Sequence, residues 1–172
     1  MLAFLALTVA SPLAAELPAY LQCAPFARDV SGIEIYGDAH TWWAKAEGLY
    51  ERGDAPREGA VLAFRPHRSM RLGHVATVSE VVDARTVRLT HANWSPIGGR
   101  RGQVEEDALA IDVSQAGDWS EVRVWYHPIQ NLGRTVWPTH GFIYNATPRA
   151  RVGLTRRDPS PAFREAFGDL LD

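Results

Sequence analysis

The sequence predicts an α+β fold, with helices first and an antiparallel sheet after them. Apolar residues recur at helical spacing before position 53 and at strand spacing from Ala60 onward. The chain has 172 residues, 46% hydrophobic and 22% charged, which suffices for one globular domain with a real core and a modest extension. The net charge of −2 argues against nucleic acid or an anionic membrane surface as partner. The single cysteine excludes an internal disulfide framework, and no Cys/His spacing suits a zinc finger.

Residues 1–15 carry no charged side chain. The run Leu2–Ala10 is apolar, Ser11-Pro12 breaks it, and small residues follow. This pattern reads as a secretory signal peptide cut near Ala15, too short to span a bilayer. It predicts export to a periplasmic or extracellular space, with no membrane contact beyond the signal. A lone cysteine in such an oxidising compartment needs a reason to stay unpaired.

That cysteine, Cys23, stands where a first helix begins. Pro25 is tolerated in a first turn, Phe26 and Val30 recur at i and i+4, and Ser31-Gly32 supplies a stop. Unpaired N–H groups at a helix start favour the thiolate. The expectation is therefore an alkylation inflection well below about 8.5. Asp38 caps a second helix from Ala39 to about Arg52, with Trp42, Trp43, Ala46, Leu49 and Tyr50 on one broad face.

Ala60–Phe64 is a short apolar strand. Gly73–Val81 and Thr86–Trp94 are β-branched, turn-bounded runs that predict a hairpin. A two-residue loop at Asp83-Ala84 and a four-residue loop over Val82–Arg85 give one register, which sets Asn93 across from His74. A three-residue loop breaks it. Ser95–Gly102 reads as a loop, and Glu121–Tyr126 as a strand ended by His127-Pro128. The segment 129–172 reads as a C-terminal extension. It is aromatic near Trp137, basic after Arg149, and closed by a short amphipathic helix bearing Phe163, Phe167, Leu170 and Leu171. It offers a surface for a protein partner or for self-association.

A thiol at a helix start, a histidine after a glycine at a strand start and an asparagine opposite it form a chemical set. They supply a nucleophile, a base and a side chain to orient the base. Cys-x-Pro-Phe-Ala-Arg at 23–28, Ser-Gly-Ile at 31–33, Trp42-Trp43, Gly73-His74-Val75-Ala76 and Asn93-Trp94 together resemble the CHAP domain. This is the cysteine, histidine-dependent amidohydrolase/peptidase group, and the resemblance covers about residues 16–127. It implies a papain-like fold, with a few N-terminal helices on a small antiparallel sheet or half-barrel, and a catalytic domain over 16–128. It implies Cys23 as nucleophile, His74 as general base and Asn93 as orienter. The oxyanion hole is then expected at the Cys23 backbone N–H, with the Gln22 side chain as a second donor. Trp42, Trp94, His91 and Gly73 are the expected cleft residues.

Many relatives have Glu two residues before the Asn-Trp pair, where this chain has His91. Some bind calcium through acids before the cysteine. Glu16 is the only acid in Glu16–Gln22, so neither metal nor cofactor is expected. The implied chemistry is amide hydrolysis in peptidoglycan, at the muramoyl–L-alanine amide or within the stem peptide or cross-bridge. Two other readings remain open. One is a weakly active or inactive wall-binding or regulatory module on the same fold, and the other a thiol amidase acting on a small soluble amide.

Overall fold

The structure, a computed structural model, describes residues 20–145. The expected signal peptide and the terminal amphipathic helix lie outside them.

Helix α1 spans Cys23–Ser31 and ends at Gly32, whose left-handed conformation (φ 70°) lets its N–H return to the Arg28 carbonyl. Its buried residues are Ala24, Ala27 and Ser31. The expected apolar pair is not the buried stripe, since Val30 is 39% exposed. Small side chains win that face because they let the helix lie close against a sheet.

The second helix is far shorter than its periodicity predicts. A 3-10 turn at Ala39–Thr41 runs into α2, Trp42–Lys45, and the chain then turns. Gly48 is left-handed (φ 73°), and residues 51–53 leave the helical path to form strand β1, Glu51–Gly53. Long-range pairing, Glu51 with Tyr144 and Arg52 with Ile143, overrides the local helical pattern.

Seven more strands follow: β2 Val61–Phe64, β3 His74–Asp83, β4 Thr86–Ala92, β5 Val104–Asp112, β6 Glu121–Tyr126, β7 Asn131–Leu132 and β8 Trp137–Tyr144. All pairings are antiparallel, in the order β1-β8-β2-β3-β4-β5-β6-β7. A further pairing of β8 with β6 closes β2, β3, β4, β5, β6 and β8 into a six-stranded barrel. The expected helices on an open sheet or half-barrel thus become a closed barrel with α1 on one wall. Strand β8 belongs to that barrel, so the barrel runs past residue 128 into the segment read as an extension. Pro138 sits in β8 where the strand passes between β2 and β6.

The hairpin turn is Ala84-Arg85, with Asp83 opposite Thr86 and the Asp83 carboxylate accepting the Arg85 N–H. Two irregularities in β3 then shift the register. By Val78–Leu89 and Thr77–Thr90 the pairing is the expected one.

Alternation on β3 sorts the core into two. Ala76 and Val78 point into the barrel with Leu62, Phe64, Leu89, Val124 and Phe142. Val75 points outward, where Ala24, Ala27, Ile33 and Trp42 cover it with Val61 and Ile143. Both faces of β3 are therefore dry next to α1, and the strand emerges into solvent only at Ser79-Glu80.

Candidate active site

Cys23 is the first residue of α1, after Gln22 in extended conformation. Leu21 donates its N–H to the Gly102 carbonyl (2.9 Å), and Asn93 donates its N–H to the Gln103 carbonyl (2.9 Å). These bonds hold the helix entrance beside the end of β4. The thiol is partly exposed. Burial pushes it above its ordinary value, while the backbone N–H groups of Val75, Ala24 and Cys23 itself pull the other way. The helix start does what the sequence suggested, but desolvation outweighs it. The alkylation rate of Cys23 is therefore expected to inflect above, not below, the ordinary thiol value of about 8.5. A pH series with iodoacetamide checks this, and an inflection near 6 would overturn it.

His74 opens β3. Gly73 before it is left-handed (φ 66°), and a Cβ there would come within 2.8 Å of the Phe64 carbonyl oxygen and 3.1 Å of the His40 nitrogen. Only glycine lets the incoming loop press on β2 and deliver the histidine at this point. His74 pairs with Phe64 across to β2, and its ring rests 4.9 Å from Trp94 and 5.5 Å from Phe64. It is 3% exposed. Burial, reinforced by the neighbouring His91, holds His74 well below the ordinary histidine value. His91 is wholly buried, and burial pushes it down to about 3. Both rings are neutral at neutral pH.

The two rings meet. His74 Nε2 lies 3.0 Å from His91 Nδ1 in a buried hydrogen bond. Asn93 does not take the expected place beside His74. It is left-handed (φ 64°), just beyond the end of β4, so the alternation that carries His91 inward fails one step later. Its amide Nδ2 donates to Gln22 Oε1 (3.1 Å), and its Oδ1 accepts from the Tyr20 hydroxyl (3.1 Å). Asn93 thus steadies the residue before the cysteine, and His91 is the side chain that touches His74.

Cys23 and His74 line one open cleft of about 1670 Å³ with Gln22, Gly73, Asn93 and Trp94. Of the expected cleft residues, Trp42 is excluded. It is fully buried under α1, with its Nε1–H donated to the Gly37 carbonyl (3.3 Å). His91 does not line the cleft either, because it lies inside the barrel behind His74. Trp94 does, and its Nε1–H is tied to the Trp125 carbonyl (3.0 Å). The sequence reading missed the rest of the wall, made by Met70, Arg71, Tyr126, Ile129, the segment 131–135 and Trp137. Trp137 stands 5.1 Å from Trp94. Its aromatic neighbourhood was visible in the sequence, but its place depends on the closure of the barrel.

No curated protein matches the chain in a sequence comparison. The family model described as the CHAP domain matches residues 15–93, a stretch that contains α1, the hairpin, Cys23, His74 and Asn93. CHAP domains are generally cysteine- and histidine-dependent amidohydrolases or peptidases. The stretch that matches the CHAP domain model, residues 15–93, is the one that brings a thiol at a helix start and a histidine at a strand start onto one cleft.

Proposed function

We propose that the protein is an exported cysteine hydrolase that cleaves an amide bond in peptidoglycan. The observation that carries this reading is the shared cleft of Cys23 and His74, with His74 fixed from behind by His91. The resting pair is a neutral thiol and a neutral imidazole, so His74 acts as a general base during attack rather than as half of a standing ion pair. The thiol proton passes to His74 as the sulfur bonds to the amide carbon. The resulting oxyanion meets the Cys23 N–H and the Gln22 side-chain amide, whose oxygen is already engaged by Asn93. His74 returns the proton to the leaving nitrogen, and a thioester remains. Water, giving a proton to His74, then releases the acid and restores the thiol.

The shape and charge of the cleft support a polymeric, acidic substrate. It is larger than the roughly 300–1,000 Å³ common for small-ligand pockets. Arg71, Arg101, Arg123 and Arg134 line it against one acid, Asp38. Wall stem peptides bear free carboxylates that suit such a rim. The uncharged first 15 residues support export to where that polymer lies.

The test is a digest of purified peptidoglycan with wild type and Cys23→Ala, fragments being identified by mass. Fragments that depend on Cys23 are expected, and their masses name the bond. No fragments from either protein would overturn the hydrolase reading and favour a wall-binding module.

A further inference from the structure

We propose that Glu105 is a positioning residue for the Cys23–His74 chemistry, acting through His91, so that Glu105, His91 and His74 form one buried relay. This rests on His74 being the base. Three observations meet here. His91 Nδ1 is bound to His74 Nε2, and His91 Nε2, at the other end of the ring, is buried with no hydrogen-bond partner among the described residues. Glu105 is the residue paired with His91 across β4 and β5. Its side chain is buried at 7% exposure, with Oε1 accepting the Ser95 N–H (2.6 Å) and Oε2 buried without a hydrogen-bond partner among the described residues. Directly opposed residues of neighbouring antiparallel strands share a face, with Cβ atoms about 4.5–5.5 Å apart. A ring nitrogen and a carboxylate oxygen, both orphaned in the same dry layer, are each other's natural partners.

The pairing fixes where every proton sits. If His91 Nε2–H donates to Glu105 Oε2, His91 Nδ1 carries a lone pair. His74 Nε2 must then carry the hydrogen of the bond between the rings. That leaves His74 Nδ1 as the lone pair on the cleft side, ready for the Cys23 proton. When Nδ1 accepts it, the imidazolium charge is buried, and the carboxylate two residues behind compensates it through His91. The carboxylate that orients the base is thus supplied from the next strand, over a histidine spacer.

Nitrogen-15 NMR of histidine-labelled wild type at pH 7 tests this without substrate or variant. His74 and His91 are both expected as Nε2–H tautomers with unprotonated Nδ1. An Nδ1–H tautomer at His91 would overturn the relay. A second arm uses Glu105→Gln, with Glu105→Asp as the conservative rescue. Cys23 alkylation at pH 7, which needs no wall substrate, is expected to slow about 10- to 100-fold in the Gln variant, the range usual for outer-shell partners, with partial recovery in Asp. An unchanged rate in a folded Glu105→Gln protein would also overturn the proposal. Should peptidoglycan remain uncut while both tautomers are found, the relay stands and the substrate reading falls.

Discussion

Removing either Cys23 or His74 is expected to lower kcat on wall substrate by on the order of 10⁴-fold or more, and removing both is expected to cost little beyond that. In the proposed mechanism the two groups act on one proton, so losing one leaves the other with nothing to exchange. Strict additivity in the Cys23→Ala, His74→Ala double mutant would show that they do not work as a unit. Burial also sets the pH range. His74 is depressed, so it stays a base well below the ordinary histidine value of about 6.5, and Cys23 is raised, so the pair keeps its proton to above about 8.5. The kcat/KM profile is expected to be broad, with an acid limb below about 6.5. An acid limb near 7 would contradict the burial. The same burial destabilises the fold in acid. Below about pH 6.5 the unfolded histidines take protons that the folded rings refuse, so stability falls by about 1.4 kcal/mol per pH unit for each ring.

Trp42→Ala is expected to destabilise the protein by about 3–5 kcal/mol, against a total of about 5–15 kcal/mol for a typical domain. Trp42 is wholly buried among Ala24, Ala27, Ile33, Val61, Val75 and Ile143. It joins α1 to the outer wall of β2, β3 and β8, and no small neighbour can expand to fill its volume. The substitution also removes the hydrogen bond from Trp42 Nε1 to the Gly37 carbonyl. Urea unfolding of wild type, Trp42→Ala and Trp42→Phe measures the loss, with Phe intermediate. A loss below about 1 kcal/mol would mean that the site collapses freely around the missing ring.

Much of the active half of the fold was legible in the sequence because its signals are local. Pro25 and Gly32 bracket α1, and Gly73 and the β-branched runs mark the hairpin. The misses have physical causes. Strand β5 hides behind Glu105-Glu106-Asp107, and Asp107 at φ 53° breaks its alternation. Strand β8 contains Pro138 and Gly141, both unfavourable in isolated strands and acceptable here through long-range pairing. Residues 51–53 obey β8 rather than their own helical spacing. That Cys23 and His74 face one cleft followed from motif and register. That His91 rather than Asn93 lies against His74 did not, because it turns on one positive φ at the end of β4.

The strand that closes the barrel also sets a timetable for synthesis. β1, β2 and β6 all wait for β8, so residue 52 meets 143 and residue 122 meets 137 only after most of the chain has been made. The β3–β4 hairpin, joined by a two-residue turn, is free to form early on the microsecond scale. The barrel is not. A chain emerging at about 5–20 residues per second carries the apolar strand β2 with one open edge for several seconds before its last partner appears. Until β8 arrives, that open edge is free to pair with any other strand that reaches it, so the late closure of the barrel is also what removes its exposed edge.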